Sequence, residues 1–176
     1  MATDEKIKHV TPLSGHKLGF FKQKQCYLIF TDQRIIVAYH DPQKVKKVYE
    51  QNLETHEEKS GKKAGFFKKI GANWNAHTNY YKRFLEMNPE EILQDHADNF
   101  AILSDSIARL VLKRGPVHHD EDGFESKSND SLSIITKDNK KLNFTFVPKQ
   151  FDSISHSLDI IIPEATFKRN KVILKR

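Results

Sequence analysis

Between Leu18 and Tyr39 the apolar positions fall in three short runs, Leu18 to Lys22, Cys26 to Phe30 and Arg34 to Tyr39. These are rich in the β-branched and aromatic residues that suit a pleated surface, and they predict three strands. The polar Thr31-Asp32-Gln33 between the last two predicts a hairpin, and Asp41-Pro42 stops the third because proline has no N–H for a ladder. From Gln43 the period lengthens. Phe67, Ile70, Trp74, His77, Tyr81 and Phe84 recur three or four residues apart, predicting an amphipathic helix over about Lys63 to Met87 that Gly65 and Gly71 weaken. Val45 to Glu58 is a further helical stretch. Asn88-Pro89-Glu90-Glu91 is a helix start, with Asn as N-cap, proline at the first helical position and acids where the helix dipole favours them. A short helix should follow to about Ala97.

Strand character returns at Phe100 to Ile102 and again at Ile107 to Lys113. In the latter, strict alternation sets Ala108, Leu110 and Leu112 on one face and Ile107, Arg109, Val111 and Lys113 on the other. Gly115 to Asp130 reads as a polar loop. Leu132 to Lys137 and Lys141 to Val147 make a hairpin around Asp138-Asn139, with Leu142, Phe144 and Phe146 facing inward. After Pro148, the residues Phe151, Ile154, Leu158 and Ile161 predict a C-terminal helix that lays an apolar stripe on the sheet, and Pro163 ends it. The order is three strands, a helical insertion, four strands and a closing helix. The chain thus reads as a single α+β domain over 1–176. Its barrel and closing helix occupy 16–42 and 98–162, a two-to-three-helix insertion occupies 43–97, and a basic tail occupies 163–176.

That layout resembles a pleckstrin-homology-like, seven-stranded antiparallel barrel or sandwich with a C-terminal helix. The likeness sharpens at Tyr27-Leu28-Ile29-Phe30-Thr31-Asp32-Gln33-Arg34-Ile35-Ile36-Val37, which resembles the strand, Thr-Asp/Asn turn and Arg-Ile/Leu strand of GRAM and bacterial PH-like domains. Ser104 to Lys113 is similar to the stretch those domains place after their central strands. The resemblance implies the fold. The insertion after the third strand departs from ordinary members, so no binding residue is transferred from them.

Composition narrows the function classes. With 38% hydrophobic and 30% charged residues the chain is globular, and no apolar stretch approaches the roughly 20 residues that span a bilayer. Cys26 has no second cysteine to pair with and lies in an apolar run, pointing to a reducing compartment, the cytoplasm, with peripheral contact to a membrane as one option. The net charge of +6 is local: Gln43 to Arg83 carries ten Lys/Arg against four Glu, leaving nineteen of each sign elsewhere. Lys59 to Arg83 holds seven basic residues and no acid.

Within that segment Lys62, Lys63, Phe66, Phe67, Lys68, Lys69 and Trp74 form the leading candidate contact surface. Lysines beside aromatics suit an interfacial helix, each cation near an anionic membrane contributing about 1 kcal/mol while the rings enter the headgroup boundary. The same pattern also suits a helix packed on the barrel with its lysines in water. Phe66 separates the two, since it is turned about 100° from the stripe that includes Phe67. The partner is then a protein or an anionic lipid surface, or a second copy of the chain pairing across a two-fold axis. Nucleic acid is a weaker alternative, with Trp74, Tyr80 or Tyr81 as stacking platforms. A metal-dependent protein or enzyme is another, using His118, His119, Asp120 and Asp122 as ligands. Adjacent histidines in a loop need further ligands to converge on one ion, and no cofactor or catalytic motif is present in the sequence, so a non-catalytic module is expected.

Overall fold

The computed structural model describes residues 5–19, 21–50, 80–120 and 124–162. Among these the strands are β1 (Ile7–Val10), β2 (Ser14–Lys17), β3 (Gln23–Thr31), β4 (Arg34–Tyr39) and β5 (Phe100–Leu103), followed by β6 (Ile107–Lys113), β7 (Val117–His119), β8 (Glu125–Lys127), β9 (Asp130–Thr136) and β10 (Lys141–Phe146). The helices are α1 (residues 42–50), α2 (Pro89–Gln94) and α3 (Phe151–Ile161). The fold is mixed α+β, an antiparallel sheet with a C-terminal helix, in the strand order β5-β4-β3-β2-β10-β9-β6 with β1 added on β3.

This order forces the sheet to curl. Strands β5 and β6 lie at opposite ends of the path, yet only the single turn Ser104–Ser106 separates them in sequence. Four Cα steps from Leu103 to Ile107 reach at most about 14 Å, whereas six strand spacings of a flat sheet would hold the two strands about 29 Å apart. The sheet therefore bends into a half-barrel. Its interior is filled by Leu28, Phe30, Val37, Leu110, Ile134 and Phe144, and α3 closes it with Phe151, Ile154, Leu158 and Ile161, the stripe expected from the sequence.

Strands β3 and β4 are buried on both faces, which explains why Cys26 to Phe30 and Ile35 to Ala38 are unbroken apolar runs. Their outward side chains Tyr27, Ile29, Ile36 and Ala38 meet a second core of Val45, Tyr80, Phe84 and Ile92. The described parts of the expected insertion thus pack on the outside of the half-barrel. Asp41 ends β4 and opens α1 at once, its carboxylate accepting the N–H groups of Gln43 at 2.9 Å and Lys44 at 3.4 Å. Asn88 and Glu91 form a reciprocal capping box at the start of α2, as the sequence predicts, although the helix stops at Gln94 rather than near Ala97.

Other expectations are corrected. Leu18, Gly19, Phe21 and Lys22 lie in the connection between β2 and β3, where the Leu18 N–H donates to the Lys22 carbonyl at 2.8 Å, and are not strand residues. The ladder is supplied instead by β1 and β2, so the main sheet has eight strands among the described residues rather than seven. The pattern before Leu18 is short and polar; Ser14, Gly15 and His16 are buried by pairing with β3 and β10, which no local periodicity announces. In β6 a register irregularity between Ile107 and Arg109 turns Ile107 inward with Leu110 and Leu112, against strict alternation. Gly115 to Asp130 is not a loop throughout: β7 and β8 pair as a two-stranded ribbon and Asp130 begins β9. Tyr80–Leu85, the described end of the helix expected over Lys63 to Met87, is a 3-10 helix that buries Tyr80 and Phe84, leaving Tyr81 half-buried.

Phe84 is 1% exposed and its ring lies 5.3 Å from that of Tyr27, whereas the adjacent Leu85 is 55% exposed. Phe84→Ala is expected to cost about 3–5 kcal/mol in urea unfolding and Leu85→Ala no more than about 0.5 kcal/mol.

Candidate functional site

One end of the half-barrel gathers polar and aromatic groups from five strands. The β2–β3 turn, the β9–β10 turn (137–140) and the junctions after β4 and before β5 meet there, because Lys17 of β2 pairs with Asn143 of β10 and Cys26 of β3 with Tyr39 of β4. His16 is the centre of this rim. It is 4% exposed, its Nδ1 is 2.7 Å from the Tyr39 hydroxyl, and its ring stacks on Phe144 at 4.7 Å with Phe100 at 6.0 Å. Burial lowers the His16 pKa, and the charge of Lys140 lowers it further. The Tyr39 hydroxyl is pushed up by burial, so a neutral imidazole facing a protonated phenol is the stable pair.

Around that pair the rim is cationic. Lys24 stacks over the Tyr39 ring at 4.0 Å and pairs with Asp98 at 2.5 Å, while Lys140 lies 5.6 Å from the Phe100 ring centre. Lys17, Lys22, Lys137 and Lys141 are exposed on the same turns and strand ends. A cavity of about 490 Å³ opens between β5 and the β9–β10 hairpin, walled by Phe100, Ile102, Leu142 and Thr136, with both lysines (Lys137, Lys140) and carboxylates (Asp105, Asp138) on its lining. At the tip of the β2–β3 turn Leu18 is 45% and Phe21 96% exposed.

The candidates read from sequence are distributed differently. Lys62, Lys63, Phe66, Phe67, Lys68, Lys69 and Trp74 lie outside the described residues. Tyr80 is buried against Tyr27 at 5.8 Å, so its ring is not available to stack on a base. Arg83, within the acid-free segment, pairs at 3.0 Å with Asp95 from beyond it. His118, His119 and Asp120 sit on the exposed ribbon, where His118 contacts Ser128 at 3.1 Å, His119 approaches Glu125 at 3.8 Å and Asp120 accepts the Phe124 N–H at 2.7 Å. The described residues do not bring these three together as a ligand set, and Asp122 lies outside the described residues. Cys26 is fully buried and its thiol is pushed up to about 12, which keeps it protonated and without nucleophilic character.

No family model, curated protein or solved structure gives a significant match to this chain. The site is therefore read from its own geometry. Sequence order hides it, because its lysines come from two stretches more than a hundred residues apart, 17–24 and 137–141, in the part of the chain whose charges sum to zero. The signal that could have found it is Gly19, which interrupts the apolar run Leu18 to Lys22 with a turn residue.

The His16 pKa lies below the unfolded value of 6.5. Its contribution to stability is fully present above that value, because the unfolded chain then carries no extra proton, and it declines as pH falls through it. Urea midpoints of the wild-type chain should fall between pH 7 and pH 5 more steeply than those of His16→Gln.

Proposed function

We propose that this chain is a non-catalytic, pleckstrin-homology-like binding module that docks on an anionic membrane surface through the rim around His16. The observation that carries the reading is the β2–β3 turn, where a 96% exposed phenylalanine, Phe21, stands between Lys17 and Lys22 and beside the lysines of the β9–β10 turn. A hydrophobic tip set among cations matches a headgroup boundary. Burying a phenylalanine there returns about 2 kcal/mol, and each lysine near the anionic surface adds about 1 kcal/mol. The cavity beside Phe100 is of a size to admit a headgroup or part of an acyl chain. The acid-free segment supplies further lysines and aromatics in the sequence, so the membrane reading and the basic-segment reading point to one class of partner. No helix of the described residues is long and apolar enough to cross a membrane.

Co-sedimentation with phosphatidylcholine vesicles, with and without phosphatidylserine, tests this. Binding is expected only with phosphatidylserine, weakening as salt rises. Phe21→Ser and the pair Lys17→Glu with Lys22→Glu should each lower the partition about tenfold. Binding that ignores anionic lipid, or that is lost only when Lys62, Lys63, Lys68 and Lys69 are changed to Glu, would remove the rim from the mechanism.

A further inference from the structure

The other end of the half-barrel holds a second, chemically different cavity of about 770 Å³. It lies where β6 ends, β9 begins and β10 passes into α3, so it is separated from the rim by the length of the sheet. Val117, Val147 and Pro148 supply apolar wall, and Val117 and Val147 are 43% and 44% exposed. Lys127 and Lys149 bring exposed ammonium groups to the same walls. Arg114 is already engaged, donating to Asp152 at 2.8 Å while its guanidinium lies 3.9 Å from the centre of the Phe151 ring.

Asp130 makes this cavity more than a basic groove. Its residue is 2% exposed and it lines the cavity. One carboxylate oxygen, Oδ1, accepts the Gly115 N–H at 2.7 Å, but Oδ2 is buried with no hydrogen-bond partner among the described residues. A buried carboxylate oxygen without a donor is destabilising, and such groups need an explanation. The local backbone provides none. Gly115 is pressed so closely by the Ser128 and Asn129 carbonyls that a Cβ there would clash with both, and these carbonyls are acceptors like Asp130 itself. The ribbon forms one wall of the cavity, since the lining residues Val117 and Lys127 are paired across β7 and β8. An isolated two-stranded ribbon is marginal by itself and can shift to admit a group.

We propose that this cavity binds the N-acylated carboxylate of an apolar amino acid, either free or at the C-terminal end of a peptide. Such a group carries on neighbouring atoms the three features the walls require. Its N–H supplies the donor that Asp130 Oδ2 lacks, its carboxylate meets Lys127 and Lys149, and its side chain covers Val117, Val147 and Pro148. A plain anion such as phosphate would satisfy the lysines and repel Asp130; a plain amine would do the reverse.

Amide NMR of the isotope-labelled full chain, titrated with N-acetyl-leucine, tests the assignment. Saturable shifts are expected at Gly115, Lys127 and Asp130. N-acetyl-leucinamide, which lacks the carboxylate, should bind about tenfold more weakly. Lys127→Glu with Lys149→Glu should abolish the shifts without disturbing the fold, because both side chains are exposed. Asp130→Asn, if folded, should weaken binding by a similar factor. A short peptide ending in leucine that binds more tightly than N-acetyl-leucine identifies a chain end as the source, and the reverse order a free molecule; either supports the proposal. Shifts that do not saturate, that are equal for acid and amide, or that persist in the double lysine variant overturn it. The rim substitutions Lys17→Glu and Lys22→Glu should leave this titration unchanged, so its failure is separable from failure of the membrane reading.

Discussion

The short connection from Leu103 to Ile107 dictates the shape of this molecule. It joins the two strands that lie furthest apart in the ladder, so the sheet has to bring them together. Bending turns one face inward, and the alternating side chains of β6, β9 and β10 fill that interior with α3 as its cover. It also leaves the two ends of the half-barrel open, each rimmed by turns. Both candidate sites are consequences of that geometry, since turns at the ends of a curled sheet collect side chains that are far apart in sequence.

The outer face of β3 and β4 would be an exposed apolar surface if nothing covered it. Val45, Tyr80, Phe84 and Ile92 cover it, and charged groups tie the cover down. Arg34 binds Glu5 through two nitrogens at 2.9 and 2.6 Å and Glu90 at 2.5 Å, joining the N-terminal segment, the β3–β4 hairpin and α2. Asp95 accepts Lys44 at 2.9 Å and Arg83 at 3.0 Å. The Thr31 hydroxyl accepts the N–H groups of Gln33 and Arg34 and donates to Glu5, so the Thr-Asp-Gln-Arg turn is tied to the N-terminal segment. Positive charge counted along the sequence is thus partly neutralised in space. Arg83 belongs to an acid-free stretch only in one dimension.

The two ends of the half-barrel differ in what they ask of a partner. The rim around His16 offers cations and an exposed aromatic tip while its own polar core is satisfied, His16 against Tyr39 and Lys24 against Asp98. At the other end Asp130 has an oxygen with no hydrogen-bond partner among the described residues, beside lysines and apolar walls.

Much of the fold was legible from local pattern. The β3–β4 hairpin, the Asn88 cap, the β9–β10 hairpin with Asn139 at φ 65° and the apolar stripe of α3 all depend on residues within a few positions of one another, and each stands where the spacing put it. The same local reasoning failed at β1, β2, the bulge in β6 and the β7–β8 ribbon, because those strands are held by partners distant in sequence and carry little hydrophobic signal. The candidate sites were less legible still. Residue types by themselves determined that the chain is a mixed α+β protein with an apolar closing helix and a locally concentrated positive charge. Only the tertiary structure decided that Leu18 and Phe21 form an exposed turn, that His16 is a buried neutral partner of Tyr39, and that Asp130 faces a cavity with an oxygen unpaired. The reason is physical: burial, charge pairing and cavity walls are properties of neighbours in space, and curling the sheet chooses those neighbours without regard to their order along the chain.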